Sequence, residues 1–210
     1  VYFINKKTID SRKETLMKKE NKKYPMLNVL DNKGHRIKHS HQRITKGFAD
    51  CDTFNIGTYL SQLVPAMLKD FKENKHSYPV FYKEDGETML AEEESRKKWD
   101  EILDRMIFLW NELDNELCSK KNPYEEEFMK VFEKYNETYG FFGEGLMSEE
   151  EKKKAESSSY SKIHFMSEVP EYKEIENKYM EEQKKIEEYQ IQCKDEVFDL
   201  MKQYFYDLWD

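Results

Sequence analysis

A chain of 210 residues has room for one large domain, or one domain with an extended appendage, and its 38% hydrophobic and 37% charged residues with a mean hydropathy of -1.00 suit long amphipathic helices better than a compact globule. Aromatic residues at 14% exclude a disordered chain, and seven Gly with five Pro exclude collagen-like or proline-rich sequence. The net charge of -8 is divided: residues 1–46 hold thirteen Lys and Arg against four Asp and Glu, or +9, which leaves -17 for residues 47–210.

Residues 1–46 read as a basic N-terminal arm. Ile9, Leu16 and Met17 stand among Lys-rich stretches that predict at best a short helix from about Thr8. From Tyr24 to Ile37 apolar residues flank Asp31-Asn32-Lys33-Gly34, a turn signal that predicts a small β-hairpin or an ordered loop. His35, His39 and His41 follow, with Cys51 ten residues beyond the last. Paired short Cys or His spacings are absent and the neighbouring Lys and Arg repel a cation, so these histidines are read as part of a solvated basic face. Lys18, Lys19, Lys22, Lys23, Arg36, Lys38, Arg43 and Lys46 are the candidate phosphate contacts should this arm meet nucleic acid. The competing reading folds the arm back onto the acidic body.

The helical core is expected over 47–147. Asp50, Asp52, Thr53 and Asn55 are all helix-capping types, and they predict a helix beginning near Asp52 and running to about residue 76. Ile56, Tyr59, Leu60, Leu63, Val64, Met67, Leu68 and Phe71 recur at helical intervals on one face of it, with Pro65 predicting a kink or restart. Glu84-Asp85-Gly86 marks a turn that closes a second short hairpin or a loop. The next helix is expected over 91–118, with Glu92, Glu93 and Glu94 at its positive end and a stripe of Trp99, Ile102, Leu103, Met106, Ile107, Trp110, Leu113 and Leu117 facing the preceding helix.

Asn122-Pro123 reads as a cap and first-turn proline for a helix over 122–139 that stops at Gly140, its face built from Phe128, Val131, Phe132, Tyr135 and Tyr139. Three glycines within 140–145 make a bend without a phosphate-loop pattern. Residues 148–169 read as a polar linker containing a Ser148/Glu151 capping box, a short Glu/Lys helix and a run of serines. From Pro170 a final helix is expected across 170–210. Its middle is predicted to project, while its apolar last fourteen residues dock on the core or on a neighbouring subunit.

Gly47-Phe48-x-Asp50-x-Asp52-x-Phe54-Asn55-Ile56, followed by Trp99-Asp100-x-Ile102-Leu103-x-x-Met106-Ile107, resembles a pattern found in uncharacterised proteins of tailed bacteriophages. The resemblance spans about residues 43–110 and carries no activity. It implies a viral origin, with a place in the host cytoplasm or the virion.

Motifs for chemistry are missing. No Ser or Cys stands in a nucleophile motif, and no H-E-x-x-H or dinucleotide fingerprint is present. Asp50, Asp52 and the histidines are the one place where a metal-dependent hydrolase would be centred, and helix capping explains the two acids with fewer assumptions. Cys51, Cys118 and Cys193, widely spaced and odd in number, fit reduced thiols, and no apolar run reaches the roughly 20 residues of a membrane span. The expectation is therefore a mostly all-α bundle with a long C-terminal helix, no cofactor and no catalytic site. Such a protein would act as a virion component or host-factor binder through protein contacts or self-association, with Tyr189, Tyr204, Phe205, Leu208 and Trp209 as contact residues.

Overall fold

A computed structural model describes residues 36–157 and 162–209. These form six α-helices: α1 Arg36–Lys46, α2 Ile56–Asn74, α3 Glu92–Glu112, α4 Glu125–Tyr139, α5 Glu149–Ser157 and α6 Pro170–Tyr204, with 3-10 turns at Glu144–Leu146, Met166–Glu168 and Phe205–Asp207. The protein is mostly α-helical with a long C-terminal helix, as expected. The hairpin expected over 24–37 lies outside the described residues, except that its last two positions, Arg36 and Ile37, open α1. By internal packing the chain divides into two compact units, one ending at Asp114 and including Trp209, the other Asn115–Leu208. The boundary cuts through the stretch 47–147 that the sequence suggested as one core.

In the first unit α2 packs along α3. Trp99, Leu103 and Met106 of α3 are fully buried, as their helical spacing predicts, and so is Leu109, which the predicted stripe did not include. They meet the face of α2 that buries Ser61, Pro65 and Leu68. Lys72 of α2 and Lys75, its C-cap, reach Asp104 and Asp100 of α3 at the edge of this seam. Pro65 stays inside one continuous helix rather than restarting it. The hydroxyl of Ser61, one turn before Pro65, donates to the Thr58 carbonyl at 3.0 Å. Two residues of the predicted stripe, Ile56 and Met67, turn outward at 58% and 61% exposure.

α2 starts at Ile56, a few residues later than the start expected near Asp52, and of the four capping candidates Asn55 takes the role, its side chain accepting from the Thr58 amide at 3.1 Å. Asp52 is drawn away by Arg43 and the Ala49 amide. Between α2 and α3 the turn at 84–86 makes the smallest possible hairpin. A single antiparallel bridge joins Tyr82 to Met89, and the Asp85 carboxylate accepts from the amides of Glu87 and Thr88. α3 stops at Glu112, short of the predicted residue 118. Past its end Asp114 is buried and accepts from the Gln62 side chain of α2 at 3.0 Å.

In the second unit α4 packs on α6 around Phe128, Tyr135, Met166, Val169 and Ile175. The Phe128 and Tyr179 rings stack with centroids 4.0 Å apart, and Tyr135 meets Tyr172 edge-on. Asn122 accepts from the Tyr124 amide and donates to the Tyr179 carbonyl, which ties the turn before α4 to α6, while α4 itself opens at Glu125 with Tyr124 as its N-cap, later than the predicted start at Asn122. The stretch 148–169 is not a linker throughout. After α5, residues 162–169 enter the core, with His164, Met166 and Val169 buried. Nor does the middle of α6 stand clear, because Ile175, Ile186, Cys193 and Val197 make one buried face along its 35 residues. Among the described residues no helix is long and apolar enough to cross a membrane.

Candidate functional site

Of the eight basic residues singled out in the sequence, Lys18, Lys19, Lys22 and Lys23 lie outside the described residues, and of Arg36 only its place at the first turn of α1 is described. The other three are engaged within the first unit. Lys38 and Lys46 sit 3.3 and 3.2 Å from the Asp50 carboxylate. The Gln42 amide clamps the same residue, donating to its carboxylate at 2.6 Å and accepting from its backbone at 3.1 Å. The Gln42 hydrogen bond, followed by those from Lys46 and Lys38, holds the Asp50 carboxyl down at about 2.

Arg43 makes a two-point pair with Asp52, Nε to Oδ2 at 3.0 Å and Nη2 to Oδ1 at 2.6 Å. Both side chains are largely buried, with 16% and 7% exposed. Burial pushes the Asp52 carboxyl up, but the guanidinium and the Ala49 amide outweigh it and leave the group below its ordinary value. With 16% of its side chain exposed, Arg43 turns into the 49–54 turn and presents little of its guanidinium to a phosphate in solution. Within α1, then, the basic face does fold back onto nearby acids.

The same corner holds a sulfur. His39 and Arg43, one helical turn apart, point off one face of α1 toward the 49–54 turn. Cys51 Sγ lies 3.5 Å from His39 Nδ1, 3.6 Å from Arg43 Nη2 and 3.5 Å from Asp52 Oδ1. His39 is buried and Cys51 partly exposed. Sequence alone placed His39 on a solvated face. The missed signal was its i, i+4 spacing to Arg43. Among the described residues no group of three or more His, Cys, Asp or Glu is arranged to hold a metal ion.

The five predicted contact residues separate into two kinds. Phe205 and Trp209 are 60% and 65% exposed. Tyr189, Tyr204 and Leu208 are half-buried. Lys120 caps the ring of Tyr189, and burial, then the Asp207 charge, raises the Tyr204 phenol. The structure adds Tyr206 at 87%, and along α6 Met180, Ile191 and Phe198 at 47%, 51% and 53%. These three lie about a third of a turn round the helix from the buried Ile186, Cys193 and Val197, and so form a second apolar stripe. A smaller apolar exposure surrounds the Arg43–Asp52 corner, where Ile37, Ile44 and Phe54 are each more than 80% exposed.

In the second unit polar groups close the core. The Tyr135 hydroxyl donates to the His164 carbonyl at 2.8 Å, and the His164 amide donates to the Phe142 carbonyl at 3.0 Å. The His164 ring sits between the Glu168 carboxylate, 2.7 Å from Nδ1, and that of Glu151, 3.5 Å from Nε2. Burial, with the charges of Glu168, Glu176 and Glu144, pushes the Tyr135 phenol up to about 12. Every one of these groups faces another part of the same core, an arrangement suited to holding the 140–169 segment in place. Comparison with protein-family models, with curated proteins and with solved structures found no match.

Proposed function

We propose that the protein works by touching other protein surfaces, as a phage-encoded virion component or a binder of a host factor, and that the aromatic end of its C-terminal helix makes the contact. The observation that carries this reading is the exposure of Phe205, Tyr206 and Trp209 at 60%, 87% and 65% within five residues. Burying one such side chain against a partner is worth roughly 1.5–3 kcal/mol, and aromatic anchors dominate interface energetics. A helix terminus carrying three of them has more apolar surface than its own fold covers. Met180, Ile191 and Phe198 are further exposed apolar side chains on α6.

The test is to replace Phe205 and Trp209 by Ser together, in the full chain. The wild-type protein is expected to retain a defined partner from virions or host extract, and the double variant to lose it while keeping its helical circular dichroism. Recovery of the same partner in the same amount by both proteins would overturn the assignment of the contact to this end. Nucleic-acid binding is a weaker reading, because Lys38, Arg43 and Lys46 already have carboxylate partners. It predicts salt-sensitive binding that vanishes when residues 1–46 are removed.

A further inference from the structure

The corner of the first unit built from His39, Arg43, Cys51 and Asp52 has a chemistry that protein contact does not use. A thiol becomes a nucleophile when a base can take its proton and a cation can hold the thiolate. Cys51 has both within reach, the His39 imidazole at 3.5 Å and the Arg43 guanidinium at 3.6 Å. The adjoining Asp52 works against a thiolate, since its Oδ1 accepts from the Cys51 thiol at 3.5 Å, but its charge is met by two bonds from Arg43 and one, at 2.7 Å, from the Ala49 amide. Tyr59 also borders the group, and burial, followed by the Asp52 charge, raises its phenol, so it stays neutral there. The other two cysteines provide an internal contrast, since Cys118 and Cys193 are 2% and 4% exposed. Cys51 combines partial exposure with a base and a cation.

We propose that Cys51 is a reactive thiol, with His39 as its base and Arg43 as the positioning cation, and that it is a site of oxidation by small hydroperoxides. A partly covered sulfur favours a reagent of that size. The Cys51 proton passes to His39 Nδ1, and the thiolate attacks one peroxide oxygen, forming an S–O bond as the O–O bond breaks. The departing hydroxide, or alkoxide where the reagent is an alkyl hydroperoxide, takes the proton from His39 and leaves as water or an alcohol. Sulfur is oxidised by two electrons to the sulfenic acid, and the peroxide is reduced by the same two.

The experiment measures iodoacetamide alkylation of the three cysteines in the folded full chain across pH 5–10, by peptide mass spectrometry, and in parallel traps sulfenic acid with dimedone after hydrogen peroxide. The expected result is alkylation of Cys51 at least about tenfold faster than of Cys118 or Cys193, reaching its plateau below the ~8.5 of an ordinary thiol, with the dimedone adduct on Cys51. His39→Gln is expected to slow Cys51 alkylation at pH 7 about tenfold and to return its profile toward that ordinary value. A wild-type Cys51 rate that keeps rising through pH 8.5 overturns the proposal, and so does a Cys51 adduct that forms only after unfolding. Should His39→Gln lose its fold by circular dichroism, the wild-type profile decides alone.

Discussion

At Gly143 the backbone takes a φ of +70° beside the Tyr135 hydroxyl and His164. A Cβ there would collide with the Tyr135 hydroxyl and come within 2.7 Å of both the His164 carbonyl oxygen and its Cβ. Gly86 has almost the same φ, +71°, with nothing within 4 Å of an added Cβ. The pair separates backbone strain from crowding. Gly86→Ala is expected to cost about 1 kcal/mol, the price of a left-handed residue, and Gly143→Ala roughly 2–4 kcal/mol because the core must also shift. Urea denaturation measures both, and equal costs would show that the 143 site relaxes freely. Arg43 and Asp52 supply the second residue-scale prediction. Losing the guanidinium strands a largely buried carboxylate, so Arg43→Ala is expected to destabilise by roughly 2–4 kcal/mol at pH 7, less than a fully buried pair because part of Arg43 remains exposed. Asp52 titrates below its ordinary value in the folded state. Its contribution is therefore complete above the unfolded value near ~3.9 and is lost as the pH falls through the folded one. The gap between wild type and Arg43→Ala in urea midpoint should accordingly narrow between pH 5 and pH 2.

Helices α3 and α5 differ in what holds them. α3 is fixed by its stripe of Trp99, Leu103, Met106 and Leu109, so Leu103→Ala is expected to cost about 2–5 kcal/mol through the cavity it opens. α5 is nine residues long, below the length at which a helix persists alone. Its start is held by Glu151, which accepts from the Ser148 amide and hydroxyl and from Lys162. Those bonds, led by the one from the Ser148 amide, hold the Glu151 carboxyl down at about 2. Glu151→Ala should speed amide exchange across Glu149–Ser157 while leaving α4 protected, and unchanged exchange in α5 would show that other contacts hold it. The same difference decided what the sequence disclosed. α3 and α4 were legible because their apolar residues repeat at helical spacing and end up inside. α1 was not, because Ile37 and Ile44 point outward while the residue it buries most is His39, and its partners lie in the 49–54 turn. Residues 162–169 were hidden for a related reason, since the buried His164 is satisfied by the Tyr135 hydroxyl, the Phe142 carbonyl and carboxylates on either side rather than by a periodic face. The exposed aromatic end of α6 was half legible. Phe205 and Trp209 were anticipated, but Tyr189 and Tyr204 turned inward, and Phe198 needed the helix phase that only the buried Cys193 and Val197 fix.

Across the whole molecule a net charge of -8 accompanies large apolar side chains left in solvent on α6 and beyond it. Like-charge repulsion between copies opposes association through such surfaces, and it disappears near the isoelectric point of about 5.4. Phe205 and Trp209 carry no titratable group, so their attraction is the same at both pH values. Lowering the pH from 7.5 to 5.5 at low ionic strength is therefore expected to raise the apparent mass in dynamic light scattering well before any loss of helical signal. Salt should produce part of the same rise at pH 7.5, where screening within about 10 Å at 0.1 M substitutes for neutralisation. Phe205→Ser with Trp209→Ser leaves every charge in place and removes two of the sticky side chains. If those side chains drive association, the double variant stays at lower mass at pH 5.5. If it associates as the wild type does, the attraction lies elsewhere, and the exposed Ile37, Ile44 and Phe54 of the first unit become the surface to change.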